Sequence, residues 1–174
     1  MTLDDDGPVS ASRAERFERA ATLRAEGRGE EARAVLLELR AAFPDDAQVT
    51  LETAYVHDSL GYEEDAVRHY EAALAGELGD DERRGALLGL GSTFRALGRD
   101  TDSDRTLREG IERYPDDNAL RAFHALTSYS LGRHADAVRS LVEVLLETTA
   151  DERVTRYRRA LLAYADDLDR SWLR

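Results

Sequence analysis

Asp100, Asp102 and Asp104 stand at alternate positions, the spacing with which a calcium loop begins to gather carboxylate oxygens around a hard cation. The loop is not completed. Its sixth position is Arg105, where the sharp turn needs glycine, and its twelfth is Ile111, where a bidentate glutamate would close the site. The three carboxylates are read instead as the acidic start of a helix, favoured by the partial positive charge there. Four histidines, His57, His69, His124 and His134, offer neither an HExxH pair nor a cluster at helix-face spacing. No GxxxxGK phosphate loop, strand-following GxGxxG or GxSxG elbow occurs. The chain has no cysteine, hence no thiol nucleophile, thiolate metal site or disulfide. We assign no catalytic residue, metal or cofactor, and expect no enzyme.

What remains is recognition by arginine and tyrosine, types over-represented among residues that dominate binding energy. The 174 residues carry 24 basic side chains, all arginine, against 36 acidic ones, for a net charge of -12. The absence of lysine reads most simply as a GC-rich genome, alternatively as a preference for bidentate carboxylate contacts. Such an acidic chain repels a phosphate backbone or an anionic bilayer, so neither nucleic acid nor membrane is an expected partner. No run of 18 apolar residues exists, and MTLDDDGPVS resembles no signal peptide, so a cytoplasmic location is expected.

The elements that must position these side chains repeat. Gly27, Gly61, Gly98 and Gly132 recur at spacings of 34, 37 and 34. Five residues after each comes a small one, Ala32, Ala66, Ser103 and Ala137, and four later a large one, Leu36, Tyr70, Leu107 and Leu141, of which Tyr70, Leu107 and Leu141 are expected to fill the space between neighbouring units. Seven residues before each glycine lies Ala20, Ala54, Gly91 or Ala125. A 34-residue period with small residues where helices must approach closely predicts stacked helix-turn-helix units. Their expected spans are about 13–46, 47–80, 84–117 and 118–150, in one domain after a disordered tail over 1–9. The three extra residues fall within Ala75 to Glu82, where AGELGDDE reads as a longer loop. Pro44 and Pro115 end second helices, and Asp45, Asp46, Asp116 and Asp117 are placed to cap the helices that follow. Leu78 and Thr149 replace the proline in the other two units. Over 151–174, Val154, Tyr157, Leu161, Tyr164 and Leu168 form one apolar stripe, predicting a capping helix from about Asp151 to Asp169.

Segments such as LETAYVHDSLGYEEDAVRHYEAAL and LLGLGSTFRALGRDTDSDRTLREGIERYPDD resemble tetratricopeptide repeats, over residues 13 to 150. The chain is similar to stand-alone bacterial proteins of that family. The resemblance implies an all-α, right-handed solenoid of four helix pairs, whose concave face, lined by the first helix of each pair, holds a peptide or partner helix. Position 4 of the repeat, usually aromatic, is here Arg16, Thr50, Leu87 and Arg121. Family members that grip chaperone tails use lysine and asparagine from their first helices; with no lysine here, that mode is not expected.

Projecting the groove-facing positions of each first helix gives Gln48, Leu51, Tyr55 and Asp58, then Ser92 and Arg95, then Ala122, Leu126 and Tyr129. We assign partner binding to Gln48, Tyr55, Asp58, Ser92, Arg95, Leu126 and Tyr129, with Tyr55 and Tyr129 flanking Arg95. Two readings stay open for Arg95: an ion pair with Asp58, or a contact with an acidic group of the partner. The chain is expected to be a protein- or peptide-binding adaptor, monomeric, or alternatively a homodimer that associates through Trp172, Leu173 or an uncapped end repeat.

Overall fold

The repeat becomes a series of paired helices. The computed structural model describes residues 12–168 and 170. The tail expected through about Pro8, and Trp172 and Leu173, lie outside the described residues. Among these run ten helices and no strand. α1 (Arg13–Ala25) pairs with α2 (Gly29–Ala42), α3 (Ala47–Ser59) with α4 (Glu63–Ala75), α5 (Asp80–Ala96) with α6 (Asp100–Arg113), and α7 (Asn118–Ser130) with α8 (His134–Thr148). α9 (Glu152–Thr155) and α10 (Arg158–Asp166) follow. The all-α repeat class is as expected. The chain divides into two compact units, Met1–Leu78 with α1 to α4 and Gly79–Arg174 with α5 to α10.

The four recurring glycines owe their identity to backbone conformation. All have positive φ, from 71° to 80°, a region costly for any residue with a Cβ. Each closes a Schellman turn: the Gly27 N–H donates to the Arg24 carbonyl and the Arg28 N–H to that of Leu23, satisfying carbonyls the helix end leaves open. The same two bonds recur at Gly61, Gly98 and Gly132, and the residue after each glycine is the N-cap of the next helix. Between pairs the device changes. Asp46 and Asp117 stand at the N-caps of α3 and α7 and accept from Val49 N and from Ala119 N and Leu120 N.

Small residues mark the helix crossings. Ala20, Ala32, Ala54, Ala66, Ser103, Ala125 and Ala137 are all buried. At Gly91 even a methyl would not fit, since a Cβ there would lie 2.5 Å from Leu107 Cγ. Ser103 exploits the same crossing, donating to the Gly91 carbonyl at 2.7 Å and sharing a 2.8 Å bond with Thr127 Oγ1. Leu36, Tyr70 and Leu107 fill the core beside these contacts.

Three expectations are corrected. The insertion is not a longer loop: four residues, 76–79, link α4 to α5, as 43–46 and 114–117 link other pairs, and α5 is the element that grows, to 17 residues against 13 in α1, α3 and α7. Glu82 makes this possible by accepting the Gly79 N–H at 2.9 Å, while Arg113 at the end of α6 and Tyr114 just after it bond Asp80. Leu141, expected to be a core filler, is 38% exposed, and Leu146 takes the buried place on α8. Beyond its own pair α8 packs chiefly on the short α10, too little to cover both faces. Finally, the capping helix is broken at Arg156 and Tyr157, which rotates α10 so that Ala165 is buried while Tyr157, Tyr164 and Leu168 of the stripe are exposed. α10 is tied to α8 at both ends, by Arg158 donating to the Leu146 carbonyl and Arg139 donating to that of Asp166.

Candidate functional site

In the first unit, α3 presents Gln48, Tyr55 and Asp58 from one side, and each is held by its surroundings. Gln48 accepts from Arg13 at 2.8 Å, and the same guanidinium bonds the Asp46 cap. Asp58 accepts from the Tyr70 hydroxyl at 3.1 Å. Burial, and then the Asp58 charge, push that hydroxyl far above the usual tyrosine range, so Tyr70 stays a donor. The Tyr55 ring is half-buried, edge-on to Tyr70 with centroids 5.7 Å apart, and the Arg24 guanidinium lies over it at 5.7 Å. Arg24 in turn pairs with Glu52. Projection did not single out Arg24 or Glu52, although both belong to this surface. Leu51, projected toward the groove, is 2% exposed and belongs to the core.

The second unit gives its four residues a different character. Ser92 spends its hydroxyl on its own helix, donating to the Gly89 carbonyl at 2.9 Å. Arg95, one turn on, is half-buried; its Nε is shielded from solvent and finds no hydrogen-bond partner among the described residues. Among the described residues of its own unit no carboxylate forms an ion pair with it. On α7, which touches α5, Leu126 is 40% and Tyr129 59% exposed, the latter with its ring 4.5 Å from that of His134. An unsatisfied guanidinium donor and two exposed apolar side chains therefore come from neighbouring helices. Of the seven assigned residues, three lie in the first unit and four in the second.

Other charged clusters are satisfied internally. Asp102 bonds Arg99 and Arg105, and Asp104 accepts from Arg133 and from His124 at 2.9 Å. Burial works to raise the Asp104 carboxyl, but those bonds and the charge of Arg108 hold it below the usual range. These aspartates lie in the opening turns of α6, and among the described residues no three acidic, histidine or cysteine side chains are grouped to hold a metal. Sequence spacing gave no sign that His57 and His69 meet. Both are buried, with ring centroids 4.7 Å apart, because the tight turn at Gly61 folds α4 back along α3. His57 Nδ1 bonds the Thr53 carbonyl at 2.7 Å, whereas His69 Nδ1 has no partner. Burial, with the Arg40 charge second, pushes the His69 imidazole down to about 4.

A family model described as Tetratrico peptide repeat matches residues 47–168. No curated protein matches the chain significantly. Among solved structures, a tetratricopeptide repeat protein from Parabacteroides merdae superposes with a TM-score of 0.72 at 18% identity, over 91% of this chain and 60% of its own. This chain thus spans three fifths of that protein's length. PilF of Pseudomonas aeruginosa gives a TM-score of 0.67 at 19% identity, over 89% of this chain and 69% of its own. YrrB, described as a TPR protein with an unusual peptide-binding site, gives 0.62 at 15% identity, over 91% of this chain and 87% of its own. At these identities the likeness concerns the fold. No helix among the described residues is long and apolar enough to cross a membrane.

Proposed function

The chain belongs to the tetratricopeptide-repeat family, and from that premise we propose that it is a non-catalytic cytoplasmic adaptor whose first-helix surface binds a segment of a partner protein. The observation that carries this reading is Arg95, a half-buried cation with an unsatisfied Nε, on a helix that adjoins the exposed Leu126 and Tyr129. A partner carboxylate would satisfy that donor, and an aliphatic or aromatic neighbour would cover the two apolar side chains. In the first unit Gln48, Tyr55 and Asp58 offer a first-helix surface of their own, already set in place by Arg13, Arg24 and Tyr70. A flexible segment loses conformational freedom on binding, so the affinity should be on the order of micromolar.

The test is to capture partners from native extract with the wild type and with Arg95→Ala, Tyr129→Ala, then titrate the recovered partner against each folded protein. Weakening by about tenfold in the variant, together with weaker binding in added salt, supports the assignment. Equal affinities reject it.

Self-association remains a second reading because α8 exposes Val138, Leu141 and Leu145, between 38% and 45%, at the i, i+3, i+7 positions of one face. Sedimentation of wild type and Leu141→Glu at micromolar concentration separates the two. A wild-type dimer converted to monomer by the substitution favours self-association, and a wild-type monomer rejects it.

A further inference from the structure

In an acidic protein an arginine finds a carboxylate easily, and most arginines here do. Arg40, on α2 in the first unit, does not. It forms no ion pair among the described residues, and its Nε is buried without a hydrogen-bond partner. Asp45 lines an opening with it but stands beyond ion-pair distance. Its charge instead presses on the neutral His69 imidazole. A buried donor left unmet is costly unless something else meets it.

Two cavities share Arg40 and Pro44 as a wall. One, of 320 Å³, reaches toward α4 past Thr50, Ala72 and Ala75; the other, of 260 Å³, lies over Leu37 and Ala41. Leu37, Arg40, Ala41 and Pro44 follow one another at i, i+3, i+4 and i+7, so a single face of α2 and the turn after it supplies the divide. Besides Arg40, Asp45 and Thr50, the side chains that line the two cavities are apolar. The site lies among α2, the start of α3 and the end of α4, with no contribution from Gln48, Tyr55 or Asp58.

We propose that this notch is a second binding site, which takes an internal acidic residue of a partner polypeptide, its carboxylate on Arg40 and its aliphatic neighbours in the two cavities. Charge complementarity selects the carboxylate, since Arg40 is a cation with an unmet donor. The apolar walls select the neighbours. The net charge of -12 disfavours a polyanion such as nucleic acid. Two openings on either side of one guanidinium suit a chain that passes across it better than a chain terminus, which would fill only one.

The probe is a capped fluorescent pentapeptide with a central glutamate between two leucines, alongside its glutamine analogue and free acetate. The glutamate peptide should bind wild type with a Kd on the order of 0.1 mM, and the glutamine analogue about tenfold more weakly. Acetate alone should bind far more weakly than the peptide, because it leaves the cavities empty. Arg40→Gln should weaken the peptide by about tenfold, whereas Arg68→Gln, an exposed arginine paired with Asp65 on α4, should not change it. Asp45→Asn removes a competing negative charge and should tighten binding, a gain that misfolding cannot imitate. The Nε–Hε resonance of Arg40, assigned by its loss in Arg40→Gln, should shift on adding the peptide. Absence of peptide binding up to about 5 mM, equal affinities for the glutamate and glutamine peptides, or an unmoved Arg40 resonance at saturation would each overturn the proposal.

Discussion

Acid should loosen the first unit through His69, and by an amount that can be worked out. Its imidazole is 9% exposed, has no hydrogen-bond partner at Nδ1 among the described residues, and feels the charges of Arg40, His57 and Arg68 against that of Asp65. Its titration near 4, against 6.5 in the unfolded chain, means that between those values the unfolded state binds the extra proton and the native state does not. The contribution is therefore fully present above pH 6.5, declines as pH falls, and is lost by pH 4. A gap of about 2.5 pH units corresponds to about 3 kcal/mol in full, of which about 2 kcal/mol is gone by pH 5. His69→Phe keeps a ring against His57 and removes both the titration and the unpaired nitrogen, so it should be neutral or mildly stabilising at pH 7. Urea unfolding followed by circular dichroism at pH 7, 6 and 5 measures the difference. The wild type should lose about 2 kcal/mol more than His69→Phe over that range. Parallel pH dependences in the two proteins would refute the reasoning, since the ion pairs they share cannot account for a difference confined to position 69.

Gly91→Ala should destabilise by about 1 to 3 kcal/mol in thermal or urea unfolding, because the new methyl meets Leu107, and its combination with Leu107→Ala should cost less than the sum of the two single changes. Gly132→Ala meets nothing within 4 Å, so its cost comes from the positive φ of 78° alone, about 1 kcal/mol by the same measurement. Ser103→Ala restores the alanine of the other repeats yet leaves the Gly91 carbonyl and Thr127 hydroxyl short of a partner, and should cost about 1 to 2 kcal/mol. Deleting residues from Asp151 onward removes the Arg158 contact to Leu146 and the cover over α8, which should raise aggregation, read by light scattering on warming.

The repeat was legible because single positions carried strict physical demands. A left-handed backbone turn admits glycine, and a helix crossing admits alanine, serine or glycine, so both were written into residue identity. Leu141 was misread because a periodic pattern assumes a following helix pair, whereas α8 is followed by the short α10. The extra turn of α5 was hidden since GELGDDE reads as a loop until Glu82 is seen bonding back to Gly79. The candidate surfaces were legible only in part: spacing placed Tyr55, Arg95 and Tyr129 on first helices, but not which of them was already engaged. The His57 and His69 contact and the unpaired Arg40 depend on side-chain rotamers across helices, which spacing along one helix does not encode.

The Schellman turn also bears on how such a chain can change length in evolution. Its two bonds fix the register between the helices of a pair, and one residue added at Gly27 or Gly61 would turn the second helix by about 100°, swinging Ala32 or Ala66 out of its crossing. The junctions between pairs carry no such lock. There, the three residues that separate Gly61 from Gly98 beyond the usual 34 were absorbed as added helix, and the repeat on either side kept its phase. Insertions and deletions in this chain's lineage should accordingly collect at the junctions near 43–46, 76–79 and 114–117 and spare the four glycine turns.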